Sequence, residues 1–283
     1  MSGRLSIVAT PIGNLDDITL RAMRVLRECD AILAEDTRRT RGLCTHHGIE
    51  TRLVSFHAHT TDAKRRALVE ELVSGARYAL VTDAGSPLVS DPGSELVRDA
   101  TEAGVEVECI PGPSAVVTAL TVAALPADTF RFVGFLPRSG GRRKRALAAL
   151  ARDESAIVLF EAPNRLVDTL SELASVLGDR RVAVCRELTK LHEEVTRGTA
   201  LDLVARHEAG VRGEITLVIE ALPAGSLEEA PTETDPEALA MRARALRAEG
   251  LPPKAVAKAL AELSGLSTKD AYRLVVSALD TDG

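Results

Sequence analysis

Tryptophan is absent from the 283 residues, and aromatic side chains of all kinds make up only 2% of them. Val, Leu, Ile and Ala must therefore fill the interior, and 283 residues bury enough of them that no staple is needed. Cysteine is scarce too. Cys29, Cys44, Cys109 and Cys185 are scattered and form no C-x-x-C pair, which excludes a zinc ribbon and a disulfide framework and fits a reducing compartment. No apolar run approaches the length of a membrane span, and the N-terminus passes directly into Leu5-Ser6-Ile7-Val8-Ala9 without a basic-then-apolar leader. The expectation is a soluble cytoplasmic protein with no membrane partner. Several nucleotide and hydrolase signatures are missing as well: G-x-x-x-x-G-K-[ST], G-x-G-x-x-G after the first strand, H-E-x-x-H and G-x-S-x-G. The first loop, Thr10-Pro11-Ile12-Gly13-Asn14, has a single glycine and cannot serve as a dinucleotide fingerprint.

Glycine and proline are concentrated in one stretch, residues 81–93, which reads VTDAGSPLVSDPG. It follows the strand-length run Tyr78-Ala79-Leu80-Val81 and precedes a helical pattern carrying Leu96, Val97 and Ala100. Such a loop is stiff, and a glycine lets backbone approach a ligand closely. At the carboxyl end of a strand in an α/β protein it sits where ligands usually bind, although an ordinary strand-to-helix connection would read the same way.

Strand and helix patterns alternate on both sides of this loop. Strands are expected at 5–9, 31–34, 53–54, 78–82 and 105–110, separated by helices that begin near Leu20, stop near Gly48, start at Thr61 or Asp62, stop at Gly75 and end at Gly104. This rhythm predicts a mostly parallel sheet covered by helices. Pro111-Gly112-Pro113-Ser114-Ala115 then opens an apolar helix whose free N–H groups suit a polar or anionic ligand. The alternation restarts with strands at 130–134, 157–160, 182–185, 194–198 and 215–219, without a sequence repeat between the halves.

The net charge of −6 argues weakly against nucleic acid, but the charge is uneven. Arg138, Arg142, Arg143, Lys144, Arg145 and Arg152 fall within 138–152 without an acid among them. Glu228, Glu229, Glu233, Asp235 and Glu237 are gathered in a Pro- and Thr-containing tract that reads as a solvated linker. Beyond it only helical periodicity remains: Leu239, Ala243 and Leu246; Val256, Leu260 and Leu263; Ala271, Leu274, Val275 and Ala278. Asp235-Pro236 begins the first of these helices, and Ser267 with Asp270 has capping-box spacing for the last. The like-charged pairs Lys254–Lys258 and Lys269–Arg273 suit either a compensating partner or a solvated face. The expected organisation is an N-terminal α/β domain (1–120), a second α/β domain (121–222), an acidic linker (223–234) and a helical tail (235–283).

Polar residues gather at three strand ends: Glu35-Asp36, Asp83 with Ser86, and Glu161. Convergence of that kind suggests an active cleft, while any one of these carboxylates taken singly reads rather as a helix cap or a surface ion pair. Taken together, VATPIGNLDDIT (8–19), AEDTRRT (34–40), TDAGSPLVSDPG (82–93), IPGPSA (110–115), GFLPR (134–138), FEAPNR (160–165), RELTK (186–190) and GEITLVIE (213–220) resemble one family. It is the ribosomal small subunit methyltransferase I family, of the tetrapyrrole methylase class, and the motifs run through residues 5–220 in the family's order. One departure is FEAPNR, where the family usually reads Tyr-Glu-Ser-Pro-His-Arg; Asn164 cannot transfer a proton as that His could.

The resemblance implies a 2′-O-methyltransferase for a cytidine of 16S rRNA, cytidine 1402 of the decoding centre. It implies S-adenosylmethionine in a cleft between two α/β domains, S-adenosylhomocysteine as product, no metal, and a homodimer acting on the small ribosomal subunit. Carried over by motif, the cofactor contacts are Pro11, Ile12, Ala84, Gly85, Ser86, Val89, Ser114 and Ala115, with Ala162, Leu188, Ile215 and Thr216 from the second domain. Asp36 is the first candidate to accept the hydroxyl proton, with Glu35 beside it. Lys190 is the second, if neighbouring cations depress its pKa; both also suit structural or phosphate-holding roles. The alternatives are a small-molecule methylase of the tetrapyrrole type and a non-catalytic rRNA-binding factor on the same fold. The basic stretch and the tail favour RNA over a tetrapyrrole, and the intact loops favour catalysis over binding alone.

Overall fold

A computed structural model of the chain describes residues 3–88, 93–223, 225, 236–248, 251–264 and 266–280. The expected cofactor neighbour Val89 and the linker acids Glu228, Glu229 and Glu233, with Asp235, lie outside the described residues. Residues 1–222 form one compact unit and 223–283 a second.

The first half of the larger unit carries β1 (Arg4–Val8), α1 (Leu20–Glu28), β2 (Ala31–Ala34), α2 (Thr37–His46), β3 (Leu53–Ser55), α3 (Asp62–Val73), β4 (Arg77–Val81), α4 (Ser94–Glu102), β5 (Glu106–Ile110) and α5 (Ala115–Ala123). Its five strands run in the order β3-β2-β4-β1-β5, and every pairing is parallel, as the alternation predicts. β2 and β4 are buried along nearly their whole length, because helices cover both faces of a parallel sheet. Leu5, Leu33, Leu72, Leu80 and Leu96 pack on one face; Val8, Leu26, Ile32, Ala79 and Ile110 pack on the other. The helix starts follow local chemistry: Thr19 and Thr61 accept hydrogen bonds from the N–H groups of Ala22 and Lys64.

The second half carries β6 (Phe130–Phe135), α6 (Gly140–Ala151), β7 (Ala156–Glu161), α7 (Leu166–Leu177), β8 (Arg181–Arg186), β9 (Glu194–Thr199), α8 (Ala200–His207) and β10 (Ile215–Ile219). Here the sheet, β6-β7-β10-β8-β9, is mixed: β6 and β7 are parallel, whereas β10 runs antiparallel to β7 and β8, and β8 antiparallel to β9. Helix α8 has no counterpart among the expected elements. Its signal is Thr199-x-x-Asp202, a reciprocal cap in which Thr199 Oγ1 accepts from Asp202 N–H and the Asp202 carboxylate accepts from Thr199 N–H at 3.0 Å. α5 lies on this second sheet, where Val116, Ala119 and Ala123 pack with Val158, Ala183, Cys185 and Val218. The position expected to separate the two α/β halves, residue 120, falls inside this helix, which packs on the second sheet.

The smaller unit contains α9 (Pro236–Ala248), α10 (Pro253–Ser264) and α11 (Thr268–Asp280), packed through Leu239, Ala243, Val256, Leu260, Ala271 and Val275. Ser267 caps α11 by accepting from Asp270 N–H, as its spacing predicts. The side chains of Leu263 and Ala278 are outside the described set.

Candidate active site

The loops after β1 and β4 leave adjacent strands of the first sheet, where its connections diverge to opposite sides, and a crevice opens there. Thr10 and Gly85 fasten the two loops by an antiparallel bridge, with N···O distances of 2.9 and 3.0 Å in the two directions. Gly85 has φ 77°, a left-handed conformation that glycine adopts freely and other residues resist. A Cβ at Gly85 would meet nothing closer than Ile12 Cγ2, at 3.5 Å. Within the protein the requirement for glycine is thus conformational, and the open space beside it lies on the cavity wall where the sequence expects backbone to approach a ligand.

A cavity of about 410 Å³ lies between these loops and the second sheet, a size typical of small-molecule sites. Ile12, Ala84, Gly85, Ser86, Ser114, Ala115, Ala162, Leu188, Ile215 and Thr216 line it, all of them expected from the motifs. Pro11 instead lines a neighbouring cavity of about 260 Å³. Ser114 is the N-cap of α5, and its side chain makes no capping bond, so the first-turn N–H groups of α5 stand available at the cavity wall.

Among the lining residues that escape sequence reasoning are Phe135, Phe160, Cys185 and Glu214. The aromatic pair had a signal, since four of the five phenylalanines (Phe130, Phe132, Phe135 and Phe160) fall on β6 and β7. Its geometry depends on a register shift between Phe132 and Gly134, where Gly134 takes φ 65°. Without that bulge Phe132 and Phe135 would point to opposite faces; with it both reach the Phe160 ring, at 5.0 and 5.6 Å.

Glu161 also lines the cavity, but its carboxylate is already engaged. It accepts from Ala162 N–H at 2.8 Å and Thr169 Oγ1 at 2.6 Å, and lies 3.4 Å from Arg165 Nε. Thr169 in turn accepts from Arg143, which is buried and also donates to Glu172 and to the Pro137 carbonyl. Arg143 is therefore a core residue and not a phosphate ligand, contrary to its place in the basic stretch. The other cations of that stretch, Arg138, Arg142, Lys144, Arg145 and Arg152, are exposed. Asn164, at the position of the family's histidine, is exposed and lines neither cavity.

The candidate proton acceptors sit in contrasting surroundings. Asp36 caps α2 and lines neither cavity. The Arg38 side chain, bound at 2.7 and 3.1 Å, and the Arg38 N–H hold its pKa down at about 2. Glu35 also lies off both cavity walls, and its carboxyl is pushed up by burial and by the charge of Asp83. Lys190 lines the smaller cavity and donates to Glu187 at 2.9 Å and Glu214 at 3.0 Å. Burial alone would lower its pKa, but the hydrogen bonds and charges of these two carboxylates outweigh that and raise it. The expected neighbouring cations are in fact acids, so Lys190 stays an ammonium.

The RELTK loop that carries Lys190 is strained: Glu187 and Thr189 have φ 52° and 64°. It is clasped to the first loop, where Thr189 Oγ1 accepts from Asn14 N–H at 3.0 Å. A Cβ at Gly13 would stand 2.5 Å from Lys190 Cγ and 2.8 Å from the Leu188 carbonyl oxygen, so only glycine lets the loops meet. Among the described residues, Asp16, His46 and His47 have spacing compatible with a metal, and none of them lines either cavity.

Comparison with known proteins points the same way. The family model for Tetrapyrrole (Corrin/Porphyrin) Methylases matches residues 4–204. The chain is 43% identical over 274 residues to the ribosomal RNA small subunit methyltransferase I of Xylella fastidiosa, covering 95% of this chain and 98% of that one. The Micromonospora olivasterospora protein of the same name is 42% identical, over 100% of this chain and 89% of its own. Among solved structures, a cobalt precorrin-4 methyltransferase superposes with a TM-score of 0.60 at 20% identity, over 77% of this chain and 94% of that one. The Thermus thermophilus uroporphyrin-III C-methyltransferase complexed with S-adenosylhomocysteine gives 0.56 at 22%, over 77% and 97%; at these identities the likeness is one of fold. With the family model spanning most of the chain and relatives matched nearly end to end, this chain belongs to the ribosomal RNA small subunit methyltransferase I family of tetrapyrrole-methylase enzymes.

Proposed function

We propose that the chain transfers a methyl group from S-adenosylmethionine to the 2′-hydroxyl of a cytidine in 16S rRNA, cytidine 1402 in the finer reading, releasing S-adenosylhomocysteine. The observation that carries this is the larger cavity, set where the connections of a parallel sheet diverge and walled by fastened loops, a helix start and an aromatic pair.

The residues present fit the cofactor. N–H groups in the first turn of α5 suit a carboxylate. Ile12, Leu188 and Phe160 offer apolar surface to a base or thioether chain, and Ser86 and Thr216 offer hydroxyls. When bound, S-adenosylmethionine supplies a methyl group already activated by the positive sulfonium, so no Lewis acid is required. What the chain must add is alignment of the acceptor oxygen, which in well-oriented systems contributes about 7–11 kcal/mol, and a place for the hydroxyl proton.

In this reading Lys190 holds an RNA phosphate, since its carboxylate partners keep it charged. Asp36 orients Arg38 and the start of α2, because a carboxylate whose pKa is near 2 is a weak base. Exposed Arg138, Arg142, Lys144 and Arg145 on and before α6, with Lys254, Lys258 and Lys269 on the C-terminal helices, supply the cationic surface for rRNA. The small ribosomal subunit as substrate, a cytoplasmic location and a homodimer complete the reading. Exposed Leu20 and Leu191 support self-association, and among the described residues no helix is long and apolar enough to cross a membrane.

The experiment is to map 2′-O-methyl groups on 16S rRNA from cells lacking the protein, and to restore them with purified protein, S-adenosylmethionine and small subunits. Loss and restoration at a single cytidine is the expected outcome. Restoration on a tetrapyrrole alone would favour the small-molecule alternative.

A further inference from the structure

The smaller cavity, about 260 Å³, shares Ile12, Arg39, Asp83, Ala84 and Glu214 with the larger one, so the two adjoin along a common wall. Its own lining is more polar than a cofactor needs. Thr10, Thr40 and Thr82 contribute hydroxyls, and Lys190 contributes an ammonium. Thr82 is the informative one. It is buried, and its Oγ1 has no hydrogen-bond partner within the protein. A buried hydroxyl without a partner is costly and calls for an explanation, and the residue that carries it lies on this cavity's wall.

We infer that this second cavity seats the acceptor ribonucleoside, and that Asp83, on the wall common to both cavities, takes the proton of its hydroxyl. The inference rests on the methyltransferase reading above. A methyl donor in one cavity and a hydroxyl in the other meet at their shared wall, and the groups on that wall are the ones able to act. Of its two carboxylates, Glu214 is neutralised by Lys190 at 3.0 Å. Asp83 has a longer ionic contact, 3.5 Å to Arg39 Nε, and accepts from Asp36 N–H at 3.1 Å, which fixes its orientation. Arg38 and Arg39 of α2 and Glu35 at the end of β2 are the other charges it feels. Each carboxylate oxygen keeps a second lone pair.

The step balances without a further reactant. The O–H bond breaks and its proton passes to Asp83; the oxygen forms the new bond to the methyl carbon; the carbon–sulfur bond breaks, and its electron pair remains on sulfur. The carboxylic acid then returns its proton to water.

Two variants test this in the full-length protein. Asp83→Asn keeps the shape and the acceptor for Asp36 N–H, so affinity for S-adenosylmethionine should stay within about threefold, while single-turnover methylation of small subunits falls about 10²–10⁴-fold. Thr82→Val removes a hydroxyl that nothing in the free protein uses. Its Tm should be unchanged or higher, while affinity for a cytidine-containing RNA oligonucleotide, titrated with S-adenosylhomocysteine present, drops about tenfold, the weight of one hydrogen bond. A purely structural Thr82 would lower Tm and leave that titration alone. Asp83→Asn with turnover within threefold of wild type, or an unchanged oligonucleotide affinity in Thr82→Val, overturns the inference while wild-type activity leaves the methyltransferase reading standing. Wild-type protein that binds cofactor but methylates no RNA overturns the reading itself.

Discussion

Thr10 and Gly85 exchange two backbone hydrogen bonds, and through them the loop after β1 and the loop after β4 are joined into one wall of the larger cavity. Position 85 is therefore held at φ 77° by a partner that it cannot leave without breaking both bonds. A side chain held in a left-handed conformation costs about 1–3 kcal/mol, more for a β-branched one. Gly85→Val should lower Tm and weaken S-adenosylmethionine binding at least tenfold by calorimetry. Because the space beside Gly85 is open, Gly85→Asn, which tolerates positive φ, should recover much of the loss. Equal damage from Asn and Val would show that bulk rather than conformation decides.

Arg143 makes an opposite kind of prediction, because its place in a cationic run suggests RNA and its contacts do not. It is buried against Thr169, Glu172 and the Pro137 carbonyl. Arg143→Met leaves the buried Thr169 hydroxyl and the Pro137 carbonyl without their donor, a loss of about 1–3 kcal/mol, while Glu172 stays in contact with solvent. The expected result is a Tm lower by several degrees, with an unaltered salt dependence of RNA binding. Arg142→Met, one residue earlier and exposed, should show the reverse.

These two positions show where the sequence was legible and where it was not. The βα rhythm, the parallel first sheet, the helical tail and most of the cavity lining can be read, since they follow from local periodicity and from motifs at strand ends. Arg143 cannot, because its partners Thr169 and Glu172 come from another helix, 26 and 29 residues away. Phe135 cannot, because a one-residue bulge decides which face it takes. The antiparallel β10 looks like any apolar strand, and strand direction leaves no mark on a five-residue run. Lys190 was legible as a functional candidate but not in its charge state, which Glu187 and Glu214 set by folding back on it.

Cysteine reactivity gives a direct check on the cavity. Cys185 lines it, yet burial pushes the thiol up to about 12, and Cys29 is pushed up to about 11 for the same reason. Cys109 is exposed. Since the thiolate is the reactive form, iodoacetamide at pH 8 should label Cys109 first and leave Cys185 unmodified in native protein. Rapid labelling of Cys185, read by peptide mass spectrometry, would mean the cavity opens far more than the structure shows.

Acid sensitivity should begin at His207. The ring is buried in the second sheet's helical layer beside the Thr196 hydroxyl at 2.9 Å, and desolvation lowers its pKa. The unfolded chain, with a pKa of about 6.5, binds the proton more readily. The stability contributed by neutral His207 is thus complete above that value and is lost as pH falls toward the lower folded pKa. Asp36, held at about 2, adds a second loss only below its usual range near 3.8. Tm should decline between pH 7 and 5, and His207→Gln should flatten that segment of the curve. A decline of equal slope in the variant would assign the sensitivity to another group.

RNA binding should reveal which cations meet phosphate. Lys254 and Lys258 are four residues apart on α10 and both exposed, a repulsive arrangement costing a few tenths of a kcal/mol unless a polyanion lies across it. Replacing both by Gln should therefore leave Tm unchanged or slightly raised, because the repulsion is removed and no new charge takes its place. Affinity for the small subunit should nonetheless fall, and the slope of log affinity against log salt should shrink by about 0.7–0.9 for each phosphate no longer neutralised. Cofactor affinity should not move, since both residues lie in the smaller unit and neither lines a cavity described in the larger one. The corresponding change at Arg142 and Arg145 on α6 tests the other half of the surface in the same assay. If the Lys254/Lys258 double variant keeps both its affinity and its salt slope while the α6 variant loses them, rRNA is held by the larger unit alone, and the C-terminal helices serve some purpose other than phosphate binding.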